Sequence, residues 1–297
     1  MEILQIDQLS KSYGRIKAID RLSLTVNKGE VYGILGPNGS GKTTTLGTIL
    51  GILHRDSGSY RWFEGQHDPK PLLQVGALLE TPNFYPYLDA ERNLDIIAHI
   101  KRIDDPNIDE VLELVNLAHR RKSSFRTYSF GMKQRLAIGA AMIGNPEVLI
   151  FDEPTNGLDP QGIAEVRETI LRIADMGKTI IMASHILDEV EKVCSHAAII
   201  KNGHLLAAGT VGAIINQDIM VDLISPDNER LLQILQQHLQ LTLVDRQDTM
   251  ITIQVTEDTD PAHINQIAFD NGLMLSHLVA RKKSLEAEFL ELTSQAS

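Results

Sequence analysis

The chain has 297 residues, enough for two domains, with 43% apolar and 23% charged residues, the balance of an ordinary globular protein. Its 28 basic and 39 acidic residues leave a formal net charge of -11, which argues against a general electrostatic hold on nucleic acid or anionic lipid. The one cysteine, Cys194, excludes an internal disulfide, fits a reducing cytosol and reads as a buried, inert thiol.

The opening MEILQIDQLS carries acidic residues and no basic stretch, so a secretory leader is not expected there. Apolar and polar residues alternate around Gly14 and Gly29, which predicts a small antiparallel sheet over residues 1–30. EVYGIL (30–35) reads as a buried strand and GPNGSGKTTTLGTILGIL (36–53) as a glycine-rich turn followed by a helix. RDSGSYRWFEG (55–65) reads as a turn and hairpin, and VGALLE (75–80) as another strand. Helices are expected over 89–102, 107–118 and 131–143, the last stopped by Asn145-Pro146. VLIF (148–151) is again a buried strand, followed by a helix (159–177), a strand (178–184), a helix (186–194) and a hairpin (197–209). The longest apolar runs, VLIF and AIGAAMIG, fall short of the roughly 18–20 residues that cross a bilayer. Any membrane spans are therefore expected from another chain.

Strands alternating with helices imply a mainly parallel α/β sheet, with the helical block at about 81–145 as an insert. A break follows near 210–217. Beyond it the expected order is β (219–224), α (226–238), β (241–246), β (250–255), α (261–271), β (273–280) and α (284–293). That order is a small α+β ferredoxin-like module closed by SLEAEFLELT. The expected domains are thus 1–216 and 217–297.

The chemistry concentrates at two strand ends. GPNGSGKTT (36–44) matches G-x-x-x-x-G-K-[ST], with a strand before it and a helix after it. Glycines let the backbone of Gly36, Pro37, Asn38, Gly39, Ser40 and Gly41 curl so that several N–H groups face one anion. The helix N-terminus adds its positive end, Lys42 can reach the β- and γ-phosphates, and the hydroxyl of Thr43, beside Thr44, can ligate Mg²⁺. VLIFDEP (148–154) brings Asp152 out at the carboxyl end of a buried strand, as a second Mg²⁺ partner. Glu153 follows at once, as the candidate base for an attacking water.

These motifs, in this order, resemble the ATP-binding subunit of an ABC transporter over roughly residues 1–215. The resemblance implies a P-loop NTPase cassette: a RecA-like mixed sheet with an N-terminal antiparallel subdomain and an inserted helical subdomain. EPTNGLDP (153–160) is similar to the family's segment from catalytic glutamate to D-loop, with Asp159 as its acid. Asp159 also stands where it would cap the next helix, with Pro160 in the first turn. His185, at the end of a buried strand, takes the place of the family's histidine that reads the γ-phosphate. Tyr13 takes the place of the aromatic that stacks on adenine. YSFGMKQR (128–135) occupies the signature position, usually Leu-Ser-Gly-Gly-Gln. Tyr128, Phe130 and Met132 depart from that form, but Ser129 and Gly131 remain, and both can donate to a phosphate at a helix start. Met132, Leu136, Ala140 and Ile143 recur at helical spacing, as a core-facing stripe.

Glu80 stands where the family has a glutamine that meets Mg²⁺ and the attacking water. ALLETPNFYPYL is similar to stretches in ATPases of the bacitracin- and lantibiotic-resistance type, and SLEAEFLELT resembles the closing helix of drug-export ATPases. Phe84, Tyr85 and Tyr87 are either core packing or part of a surface for the membrane subunit. The resemblance implies ATP and Mg²⁺ as ligands and a head-to-tail dimer of two copies. Each ATP would then lie between Gly36–Thr44 of one copy and Ser129 and Gly131 of the other. It further implies a separate transmembrane permease, a place on the inner face of the cell membrane, and export of a peptide, antibiotic or amphiphile. No nucleic acid partner is expected. The alternative is a soluble ABC ATPase acting on ribosomes or DNA. The charge of -11, the single cassette and the lack of a long coiled coil weigh against it.

Overall fold

A computed structural model describes residues 1–65, 70–79, 83–214, 219–247, 249–256 and 258–282, together with Leu285, Glu288 and Phe289. Glu80 and most of the expected helix 284–293 lie outside the described residues. Contacts divide the chain into two compact units, Met1–Val211 and Gly212–Ser297.

The first unit begins with β1 (Glu2–Tyr13), β2 (Ile16–Asn27) and β3 (Val31–Leu35), then α1 (Lys42–Ile49), β4 (Ser57–Trp62) and β5 (Val75–Leu78). Three helices follow, α2 (Ala90–Lys101), α3 (Ile108–Leu114) and α4 (Phe130–Met142). It continues with β6 (Val148–Asp152), α5 (Pro160–Asp175), β7 (Thr179–Ser184), α6 (Leu187–Val193), β8 (His196–Lys201) and β9 (His204–Thr210). A single helical turn, α7 (Val211–Ile214), straddles the division.

The central sheet has the order β5-β6-β7-β3-β8-β9. All its pairs are parallel except β8–β9. Every residue of β3, β6 and β7 is buried. That is why these strands are apolar without alternation: a parallel sheet is covered on both faces. The parallel arrangement also brings the carboxyl ends of β3, β6 and β7 to one edge, where a ligand site forms in such sheets.

A second sheet has the order β2-β1-β4. Residues 55–65 are not a hairpin of their own. β4 pairs antiparallel with β1, from Leu4↔Trp62 to Ser10↔Ser57. Phe63 and Glu64 take left-handed conformations (φ 52 and 53) and end the strand before it can fold back on a neighbour. Alternation shows that a segment is a strand, but not which strand it pairs with.

The helix expected over 107–118 also ends early, at Leu114. Asn116 turns left-handed (φ 53), and the Leu117 N–H closes on Leu112 O at 2.7 Å. α4 differs more from the sequence reading. Met132 is only half-buried, whereas Gln134, Arg135 and every residue to Met142 are buried. The helix is enclosed on nearly all sides rather than along one stripe.

The second unit contains β10 (Ile219–Ile224), α8 (Asn228–His238), β11 (Leu241–Arg246), β12 (Ile251–Val255), α9 (Pro261–Asp270) and β13 (His277–Lys282). Its sheet has the order β11-β12-β10-β13, with all pairs antiparallel. The first and third strands lie side by side, as in a split βαβ arrangement. Val221, Ile253, Leu231 and Ile264 meet in its core. The last strand starts at His277 rather than 273. Gly272 turns left-handed (φ 76), and the Leu273 N–H bonds Ala268 O at 2.9 Å, so these residues close α9 instead.

Candidate functional site

The turn after β3 is shaped by what surrounds it. Gly41 adopts φ 107, and a Cβ there would lie 2.0 Å from the Ala18 carbonyl oxygen of β2. Only glycine combines that conformation with that close approach. The Gly203 N–H, in the turn between β8 and β9, donates to Ser40 O at 3.0 Å. The loop is therefore clamped between two hairpins, and α1 starts at its end with Lys42. Gly41→Ala should cost on the order of 2–5 kcal/mol and abolish nucleotide binding. Denaturant unfolding and a binding titration check both effects.

Lys42 is buried, 5% exposed, although it carries a charge. Its ammonium has three acceptors: Gly36 O at 2.8 Å, Pro37 O at 3.3 Å and Glu153 Oε1 at 3.3 Å. Thr43 Oγ1 donates to Asp152 Oδ2 at 2.7 Å. Asp152 is the last residue of β6 and is buried. Glu153 takes a left-handed conformation (φ 49) as its N–H bonds Ala183 O of β7 at 2.9 Å. The turn sends two consecutive carboxylates to different partners. Glu153 Oε2 lies 2.7 Å from His185 Nδ1 and accepts the His185 backbone N–H at 3.3 Å. His185 follows β7 directly. Lys42, Glu153 and His185 thus form one continuous polar chain beside the Thr43–Asp152 bond.

Tyr13 ends β1 and is 49% exposed, with the Lys11 ammonium 5.5 Å from its ring centre. It stands on the β1–β2 hairpin, whose Ala18 backs Gly41. An exposed ring on a fixed hairpin is free to stack on a flat ligand.

Ser129, Gly131 and Asp159 gather elsewhere. Ser129 Oγ caps α4, accepting the Met132 N–H at 3.2 Å. Asp159 Oδ1 caps α5, accepting the Gly162 N–H at 3.0 Å. The starts of the two helices border a cavity of about 530 Å³ that includes all three residues. Phe130 is 42% exposed on its wall, and a Cβ on Gly157 would lie 3.4 Å from its ring. The bulky residue thus packs over the loop 153–159 rather than standing apart from the structure.

Arg135 was not singled out by the sequence reading. Its buried guanidinium donates to Val115 O at 2.7 Å and Asn116 O at 3.1 Å, and pairs with Glu165 of α5 at 3.0 Å. It thereby fixes α4, and the Ser129 cap with it, against both α3 and α5. The signal available was a charge inside an otherwise apolar helix body. Of the aromatic group at 84–87, Phe84 packs on Phe125 (ring centres 5.0 Å apart), while Tyr85 and Tyr87 are exposed. Cys194 is buried, and burial pushes its thiol up to about 12, which leaves it inert.

Comparison with known proteins shows the family. The family model described as "ABC transporter" matches residues 19–156. The uncharacterized ABC transporter ATP-binding protein YdbJ of Bacillus subtilis (strain 168) is 37% identical over 98% of this chain and 96% of its own length. The bacitracin transport ATP-binding protein BcrA of Bacillus licheniformis is 36% identical over 98% of this chain and 97% of its own. The ADP conformation of MJ1267, an ATP-binding cassette of an ABC transporter, superposes with a TM-score of 0.64 at 29% identity, covering 71% of this chain and 91% of that one. No helix among the described residues is long and apolar enough to cross a membrane. The chain therefore belongs to the ATP-binding proteins of ABC transporters, a subunit that binds and hydrolyses ATP and works with a membrane permease.

Proposed function

We propose that this chain is the cytoplasmic ATPase of an exporter, pairing head to tail with a second copy and driving a permease that moves a peptide, antibiotic or similar amphiphile. The observation that carries the proposal is the joined chain Lys42, Glu153 and His185 beside Thr43 and Asp152. The full-length likeness to a bacitracin transport protein supports the substrate class. The net charge of -11 supports the absence of a nucleic acid partner. The cassette is taken as residues 1–216, with residues 217–297 as an accessory module.

In this reading the loop Gly36–Thr44 and the start of α1 hold the phosphates, with Lys42 as the point charge on the β- and γ-phosphates. Tyr13 stacks on the adenine, a contact worth about 1–3 kcal/mol. Thr43 and Asp152 fit Mg²⁺, since both offer hard oxygen donors and these lie 2.7 Å apart. No group of three or more His, Cys, Asp or Glu suited to a metal occurs among the described residues. Besides Thr43, Asp152 and Glu80, the ion would keep water and phosphate oxygens as its other ligands. When bound, it supplies neutralisation of phosphate charge. Glu153 accepts the proton of the attacking water, and His185 holds the γ-phosphate against it. Glu80 remains assigned to the metal and the water.

Ser129 and Gly131 of the second copy complete each site, and Asp159 lies at the same contact. ATP touches both copies, so it favours the closed pair; a ligand shifts an equilibrium by its differential affinity for the two states. The exposed Tyr85 and Tyr87 are offered to the permease.

Deleting the gene should increase the cell's sensitivity to a peptide or other amphiphilic antibiotic. The wild-type gene should restore resistance, and a Lys42→Ala copy should not. Unchanged sensitivity across a panel of such compounds would remove the export reading.

A further inference from the structure

The Glu153 carboxylate occupies an unusual position for a base. Its two oxygens are spread across the groups that the proposed function assigns to the γ-phosphate. Oε1 is 3.3 Å from the Lys42 ammonium. Oε2 is 2.7 Å from His185 Nδ1 and accepts the His185 N–H at 3.3 Å. The other acceptors of the ammonium are the Gly36 and Pro37 carbonyls of the loop itself. A lysine ammonium has three donors, so a γ-phosphate oxygen finds none spare. It must take the place of Glu153 or of a loop carbonyl, and only Glu153 is also tied to His185.

We propose that Glu153 is an internal stand-in for the γ-phosphate, and so determines how the site distinguishes nucleoside triphosphate from diphosphate. The proposal rests on the reading above, in which Lys42 and His185 hold the γ-phosphate. A diphosphate reaches Lys42 only with its β-phosphate, which takes the place of a loop carbonyl; it has no group to put between Lys42 and His185, so the bridge stays. A triphosphate replaces one anion by another on the same donors, and part of its binding free energy is used in that exchange. The displaced carboxylate is then free to accept a proton from water. While the bridge stands, its oxygens are engaged by Lys42 and His185. The base thus becomes available only when its substrate has arrived. When the cleaved phosphate leaves, Glu153 can return to Lys42 and His185 and oppose its rebinding.

The test is nucleotide binding rather than turnover. Affinities for ADP and for the non-hydrolysable triphosphate AMP-PNP would be measured calorimetrically with Mg²⁺ for the wild type, Glu153→Asp and Glu153→Gln. Protein concentrations would be those at which sedimentation shows single chains. Aspartate keeps the charge and tolerates the left-handed backbone at 153, but is one methylene too short to span both partners. ADP affinity should be the same in all three. AMP-PNP should bind on the order of tenfold more tightly to both variants, the effect of removing one charge-assisted contact that competes with it. A gain in Glu153→Gln alone would overturn the bridge and leave only charge repulsion. An unchanged ratio of the two affinities in both variants would overturn it as well. Failure of the wild type to bind ADP would overturn the nucleotide reading beneath it, and the proposal with it.

Discussion

Glu153→Gln should lower ATP turnover by about 10²–10⁴-fold, the usual contribution of a positioned base, while nucleotide binding survives. The amide matches the carboxylate in shape, so the turn at φ 49 and the N–H bond to Ala183 are kept. It is lost as a proton acceptor, because an amide oxygen is too weakly basic to take a proton from water. A chain that binds ATP but cannot cleave it should accumulate as a closed dimer, visible as a doubled mass on size exclusion with ATP and Mg²⁺. Phosphate release measures the first effect. Turnover near the wild-type value would end the assignment of Glu153 as base.

Ser129→Arg should abolish turnover, by about 10²-fold or more, while the single chain binds ATP as before. Lys42, Thr43, Asp152 and His185 are untouched by this change. A guanidinium at the start of α4 would fill the place where a phosphate of the second copy's ATP would lie. The lost cap also costs about 1 kcal/mol, so the variant's unfolding midpoint must be checked beside its activity. A mixing experiment gives a sharper test. Ser129→Arg and Lys42→Ala chains are each inactive alone, but a mixed dimer holds one intact site. Equal amounts should restore about a quarter of wild-type turnover, since half the pairs are mixed and each has one of two sites. An inactive mixture would exclude a site shared between two copies.

Much of this architecture could be read from the sequence because local signals agreed with the tertiary ones. VYGIL, VLIF and IIMA are apolar without alternation because their strands are covered on both faces, and the residues that follow them carry the candidate chemistry. The Asp159 cap was legible for the same reason, since capping is decided within four residues. What failed to show was set by partners distant in sequence. Nothing in SGSYRW says that it pairs with β1, 50-odd residues earlier. The burial of Arg135 depends on the carbonyls that follow α3 and on Glu165 of α5 closing over it. The direct contact between Lys42 and Glu153 has no local signal: it arises because the sheet puts the ends of β3 and β6 on one edge, with β7 between them. Phe130 could be noted as a departure, but its position over Gly157 follows from how α4 meets the loop 153–159.

The Ser129 cap has an evolutionary consequence. Its oxygen accepts the Met132 N–H, and its hydroxyl still has a proton to donate. A helix start would be held as well by aspartate, whose charge also suits the positive end of the helix. Aspartate has no proton to offer and would repel an incoming phosphate. If the proposed shared site holds, position 129 is one where the best residue for a folded protein and the best residue for a working one differ. A library selected only for folded, soluble chains would drift toward aspartate there, and one selected for transport would return to serine.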